Sequence, residues 1–277
     1  MKFKLVESYL IEDELLEDKM VKFGGELSPK YGWCVIYIGG GASGKSTATQ
    51  FLSRLQGRYF NVDDFKENPK FWKLINPKTG KSYEDGFETP PEERRLDNGK
   101  FAGELHQTFD ALGKKKKNAI LHNQANNSDR LPNIIFDMTG DKISKISEIV
   151  DVVKPQGYKV AIIWVLNTFE NAYKNLLTRP RGGHDKETVK LVAQKHQDVL
   201  NTANEIFNSN YIINIDEFWV IDASTDINPF EKPVEYHDAQ NVYHIPCNSN
   251  GLNTFEKVVN VMQKTSQQLL NFNNKNN

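Results

Sequence analysis

The stretch Val35-Ile36-Tyr37-Ile38-Gly39-Gly40-Gly41-Ala42-Ser43-Gly44-Lys45-Ser46-Thr47 constrains this chain more than any other. An apolar run breaks into glycines and then restarts, which predicts a buried strand, a tight loop and a helix from Ser46 to Leu55. The spacing Gly39-x4-Gly44-Lys45-Ser46 fits a loop that wraps a phosphate. Glycines open backbone dihedrals closed to other residues, so consecutive N–H groups can converge on an anion. Gly39, Gly41, Ala42, Ser43, Gly44, Lys45, Ser46 and Thr47 are therefore the expected nucleotide-binding residues. Lys45 would reach the β- and γ-phosphates of ATP, and the Ser46 hydroxyl would hold Mg2+.

Downstream, short apolar runs alternate with helical periodicity. Trp33 to Ile38, Tyr59 to Val62, Asn133 to Gly140, Tyr158 to Leu166 and Glu217 to Asp222 read as parallel strands. Phe101 to Leu112, Lys142 to Val153, Asn167 to Leu177, Glu187 to Phe207 and Thr254 to Leu270 read as helices, and Asn241 to Cys247 as an edge strand. The pattern predicts an α/β fold, a doubly wound parallel sheet of about five strands around a phosphate-binding loop, with helical termini. Apolar residues from Leu10 to Val21 at near-helical spacing make residues 1–32 an expected helical extension. Residues 33–277 form the expected main domain. It carries an irregular Pro/Gly-punctuated insertion at 67–132 and a lid at 178–186.

Charge narrows the partners. The 277 residues hold 35 Lys+Arg against 36 Asp+Glu, a net charge of −1, so no global field favours nucleic acid or a membrane. The run Lys114-Lys115-Lys116-Lys117 reads as a solvated turn, or as a local contact for a phosphate backbone. Two cysteines, Cys34 and Cys247, suggest no disulfide framework and no zinc site, as in a reducing cytoplasm. The acidic segment Glu12 to Asp18 is unlike a secretory leader, and no apolar run approaches membrane-spanning length.

Three strand ends carry the remaining chemistry. Tyr59-Phe60-Asn61-Val62 stops on Asp63-Asp64-Phe65-Lys66, at the carboxyl edge where open α/β sheets bind ligands. Asp63 is placed to take a proton from a substrate hydroxyl, whereas Asp64 serves equally as a helix cap. The apolar run Asn133 to Gly140 ends in Asp137-Met138-Thr139-Gly140, where Asp137 would orient a Mg2+-bound water or contact the substrate. Arg179 and Arg181, on the hinged segment Thr178-Arg179-Pro180-Arg181-Gly182-Gly183, form a cationic clamp for a transferring phosphoryl group.

In this order the motifs resemble those of the P-loop kinases of the zeta toxin and phage polynucleotide kinase group, over most of residues 33–222. The resemblance implies that Asp63, in Asn61-Val62-Asp63-Asp64-Phe65-Lys66, is the catalytic base and that Lys66 is a substrate-side basic residue. Asp137-Met138-Thr139-Gly140 is similar to the zeta-toxin Glu-x-Thr-Gly segment that binds the acceptor, with Asp in place of Glu. Arg179 and Arg181 stand where the family carries arginines for the ATP phosphates. The activity implied is phosphoryl transfer from ATP to an alcohol, with Lys45, Asp63, Arg179 and Arg181 catalytic and Asp64, Lys66, Asp137 and Thr139 near the acceptor. A sugar nucleotide or similar small metabolite ranks first as acceptor, and a nucleic-acid hydroxyl second. A nucleotide-driven switch that transfers nothing is the rival class.

Overall fold

The computed structural model describes residues 20–23, 26–29, 32–48, 57–61, 66, 68–96, 98–123, 131–177, 186–209, 211–223, 242–248 and 250–258. It opens with β1 (Met20–Phe23) and β2 (Glu26–Pro29), an antiparallel pair in register from Met20 opposite Pro29 to Phe23 opposite Glu26. This corrects the expected helix at its C-terminal end. Two four-residue runs separated by Gly24-Gly25 are a hairpin signal, and it prevails over the helical spacing that begins at Leu10. Residues 1–19 lie outside the described residues.

The main sheet is built from β3 (Trp33–Ile38), β4 (Gly57–Asn61), β5 (Asn133–Asp137), β6 (Lys159–Leu166), β7 (Glu217–Asp222) and β8 (Val242–Ile245). Its order is β4-β5-β3-β6-β7-β8. The first five strands in that order are parallel, and β8 closes the edge antiparallel to β7, so the sheet has six strands where about five were expected. The chain leaves β3 toward the β4 side and leaves the adjacent β6 toward the β7 side. Connections that diverge from neighbouring strands open a crevice at the carboxyl edge of the sheet. The glycine loop leaves β3 at that crevice.

Alternation along β3 explains both layers. Cys34, Ile36 and Ile38 join one buried cluster, while Trp33, Val35 and Tyr37 join another on the opposite face. All six are at most 1% exposed, as a central strand sandwiched between layers requires. The first face is covered by α3 (Gly99–Asn123), α4 (Ile143–Val153) and α6 (Lys186–Asn208), through Phe101, Phe109, Ile146, Val150, Val199 and Ile206 among others. Earlier in the chain lie α1 (Lys45–Ala48) and the short α2 (Pro69–Trp72), and α5 (Phe169–Leu177) precedes α6. Residues 251–258 are also helical, and Phe255 stacks on Phe207 at 4.3 Å between ring centroids. Among the described residues no helix is long and apolar enough to cross a membrane.

The described part of the insertion is more regular than its prolines suggest. Asn98 accepts the Lys100 N–H at 3.0 Å and so caps α3, which runs to Asn123 and absorbs Lys114 to Lys117. The lysine run is therefore helix rather than turn. Lysine is a good helix former, Lys114 pairs with Asp110 one turn back, and Lys117 reaches Glu148 of α4 at 2.9 Å. Trp72, Phe87 and Phe101 pack edge-on with centroids 5.4–5.9 Å apart, and Glu104 accepts the backbone N–H groups of Glu88 and Thr89. Phe71, Trp72, Tyr83 and Phe87 thus anchor residues 68–96 to the core.

Gly140 carries a load of its own. Its φ is +69°, and a Cβ there would lie 2.3 Å from Ile38 Cγ2 in the buried core. Gly140→Ala combines left-handed strain with overpacking and should destabilise the fold by about 3 kcal/mol. Chemical unfolding of the variant checks this.

Candidate functional site

Three strand ends meet where the glycine loop begins. Tyr37 is in register with Asp137 on β5, and Asp137 is in register with Asn61 on β4. The Gly39 N–H donates to the Thr139 carbonyl at 3.0 Å and the Met138 N–H to the Tyr37 carbonyl at 3.1 Å, tying the loop's start to the Asp-x-Thr-Gly segment. Asp137 is 9% exposed, and its Oδ2 accepts the Tyr59 hydroxyl at 2.9 Å and the Asn61 amide at 3.3 Å. These donors fix the carboxylate's orientation rather than capping α4, whose N-cap residue is Lys142.

The loop itself turns through two left-handed residues, Ala42 at φ 59° and Gly44 at φ 99°. A non-glycine in that region is uncommon and costs about 1 kcal/mol, so it persists only where its surroundings hold it. Ala42 packs on Ala172 and Leu176 of α5 and on Val189 and Val192 of α6. Lys45 folds back over the loop and donates from Nζ to the carbonyls of Gly39 at 2.7 Å and Gly40 at 3.0 Å. Ser46 is exposed and Ser43 is fully buried.

The structure thus brings Gly39, Gly41, Ala42, Ser43, Gly44, Lys45 and Ser46 to the same sheet edge as Asp137 and Thr139. Lys66 is half-buried, and its carbonyl accepts the Trp72 indole N–H at 3.2 Å. Asp63, Asp64, Arg179, Arg181 and the Thr47 side chain lie outside the described residues.

Sequence reasoning missed a set of groups beneath the loop. His196 of α6 is 7% exposed, and its Nε2 is 2.8 Å from the Gly41 carbonyl. A carbonyl only accepts, so Nε2 carries the proton. Gly40 was also left out, although a Cβ there would lie 2.2 Å from the His196 ring. The signal was present: His196 follows Val189, Val192 and Ala193 at helical spacing, a histidine on an apolar face. By contrast Leu191, an apolar residue of the same helix, is exposed. One residue before His196, Lys195 pairs with Asp141, which also binds Lys145 at 2.7 Å. Burial pushes the Asp141 carboxyl up, but the hydrogen bonds and charges of the two lysines outweigh it and hold it at about 2. This ion pair links α6 to the segment that follows Gly140.

Burial drives His196 down to about 4, with the nearby Lys45 charge acting in the same direction and the Gly41 hydrogen bond opposing. An unfolded histidine takes up its proton near 6.5, whereas the folded ring stays neutral to about 4. The unfolded chain binds the extra proton between those values, so stability falls as the pH drops through that window, by about 3 kcal/mol in the limit. His196→Phe should show a shallower loss between pH 7 and pH 4.5, measured by denaturant unfolding of both proteins at each pH.

A parallel α/β sheet whose central strand runs into Gly39-x4-Gly44-Lys45-Ser46 at a diverging-connection crevice defines the phosphate-binding-loop α/β class. No family model and no curated protein matches the chain. Among solved structures, it is similar to one of the PezAT chromosomal toxin–antitoxin system of Streptococcus pneumoniae, at 15% identity over 90% of each chain, with a TM-score of 0.46. It is also similar to AvrRxo1-ORF1:-ORF2 with ATP, at 14% identity over 69% of this chain and 55% of that one, with a TM-score of 0.44. Deoxyadenosine kinase from M. mycoides with bound dATP matches at 16% identity over 82% of this chain and 99% of that one, with a TM-score of 0.33.

Proposed function

We propose that the protein is a kinase that transfers the γ-phosphoryl group of ATP to the hydroxyl of a sugar nucleotide or similar small metabolite. The observation that carries this is the Lys45 ammonium held at the Gly39 and Gly40 carbonyls, on a loop tied directly to the strand end that presents Asp137. Phosphoryl transfer needs little covalent help from a protein, so a cationic loop beside oriented carboxylates is the machinery expected.

In the proposed step, Asp63 takes the proton of the acceptor hydroxyl as its oxygen attacks the γ-phosphorus. The bond to the β–γ bridging oxygen breaks, and ADP leaves with that electron pair. Lys45, Arg179 and Arg181 neutralise charge on the transferring oxygens, and Asp64, Lys66 and Thr139 contact the acceptor. The residues suit Mg2+: an exposed Ser46 hydroxyl and a carboxylate at Asp137 are hard oxygen donors of the kind this ion accepts alongside phosphates and water. When bound, the ion would supply positive charge to the β- and γ-phosphates.

A small acceptor is favoured because the net charge is −1 and two of the four lysines in the local basic run, Lys114 and Lys117, pair with Asp110 and Glu148. The test is transfer of label from γ-labelled ATP to a panel of sugar nucleotides, nucleosides and 5′-hydroxyl or hydroxymethylated-base DNA. Label on a small acceptor, with mild salt dependence, is the expected result. Label on DNA that falls steeply with salt would assign a nucleic-acid acceptor instead, and label released only as free phosphate would favour a nucleotide switch.

A further inference from the structure

We propose that Asn167, Asn175 and His196 are positioning residues that shape the loop's anion-binding face from behind. This rests on the reading of residues 39–46 as a phosphate loop. Every carbonyl from Gly39 to Ser43 accepts a side-chain donor. Lys45 holds those of Gly39 and Gly40, His196 holds Gly41 at 2.8 Å, Asn175 holds Ala42 at 3.2 Å, and Asn167 holds Ser43 at 3.4 Å. The three distant donors come from three places: the end of β6, α5 and α6.

The consequence follows from peptide geometry. In a planar trans peptide, C=O and the next residue's N–H point in opposite directions. No cis peptide occurs among the described residues. His196 draws the Gly41 carbonyl toward α6, and so turns the Ala42 N–H away from α6. Asn167 does the same for the Gly44 N–H. Asn175 holds the peptide whose Ser43 N–H closes the turn onto the Gly40 carbonyl at 3.3 Å. Among the described residues the N–H groups of Ala42 and Gly44 make no hydrogen bond. With the likewise unbonded N–H groups of Gly40 and Gly41 they are the donors left for an anion, and oriented donors of this kind form a nest.

Without these three side chains the loop peptides could rotate, and an arriving phosphate would have to order them. The neutral histidine suits the role, because burial keeps it from adding a charge that competes with Lys45 for the ligand. The ring also fills the space that requires Gly40 to be glycine, so donor and glycine work as one unit.

Calorimetric titration of the full chain with Mg2+-ATP, inorganic tripolyphosphate and adenosine tests this. His196→Phe keeps the ring's bulk and loses the N–H, His196→Gln restores a donor, and Asn175→Leu removes a second tie. We expect His196→Phe and Asn175→Leu to weaken ATP and tripolyphosphate about tenfold, roughly the worth of one oriented hydrogen bond. Adenosine affinity should not change, and His196→Gln should stay within about threefold of wild type. Equal weakening of adenosine, or wild-type tripolyphosphate affinity in both folded variants, would overturn the positioning role. If the wild type binds both phosphates and Lys45→Ala does not, the loop reading stands whichever way His196 falls. A wild type that binds neither ATP nor tripolyphosphate would remove the loop reading and this proposal together. Should His196→Phe fail to fold, Asn175→Leu decides between the two outcomes.

Discussion

Lys45→Ala should lower γ-phosphoryl transfer by about a thousandfold, while denaturant unfolding shows a change of only about 1 kcal/mol. The two figures come from different states of the same ammonium. In the structure it donates to two carbonyls of its own loop, and a hydrogen bond of this kind is worth about 1 kcal/mol net against water. During transfer the same charge would face phosphate oxygens on which negative charge is shifting, where loss of a preorganised cation costs about 4 kcal/mol, or three powers of ten. Because the lysine is only half-buried, no cavity opens in the core when it is shortened. Lys45→Arg should rescue little, since a planar fork on a shorter stem cannot replace a compact ammonium folded against Gly39 and Gly40. Single-turnover transfer with saturating acceptor measures the effect. Retention of more than a tenth of wild-type activity in Lys45→Ala would remove the lysine from the mechanism.

How much of this was legible depends on how far each feature reaches along the chain. β3 and β7 have the bounds that their apolar runs predicted, because a parallel strand buried on both faces leaves a continuous hydrophobic signature, while β5 starts at Asn133 as expected but stops at Asp137, short of Gly140. The glycine loop was legible for a similar reason, since its dihedral demands at Gly44 are met by the residue itself. The long α3 was only half visible. Its first turns carry Phe101, Leu105 and Phe109 on one face, but its continuation buries Ile120 and Leu121 in the core and sets Lys117 against Glu148 of another helix. The groups behind the loop were invisible for the strongest version of this reason. Asn167, Asn175 and His196 lie 124, 133 and 155 residues from the carbonyls they hold, and no local pattern encodes such a contact.

Asp63→Asn should reduce kcat by two to four powers of ten, the range that a general base contributes, with little change in the KM for ATP. The amide keeps the size of the carboxylate and removes its ability to accept a proton. The control that gives this prediction its content is Asp137→Asn. Asp137 is nearly buried, and its Oδ2 accepts from Tyr59 and Asn61. An amide there would have to turn its oxygen toward those donors, leaving an NH2 in place of the second carboxylate oxygen, a group that donates and so would not accept from a Mg2+-bound water. Its defect should therefore appear as a raised Mg2+ requirement, partly recovered at high Mg2+, whereas the Asp63→Asn defect should persist at every Mg2+ concentration. The distinction separates a proton acceptor from a metal-orienting acid, which a simple loss of activity does not. Recovery of Asp63→Asn by added Mg2+, or near-full activity without it, would transfer the base role away from Asp63.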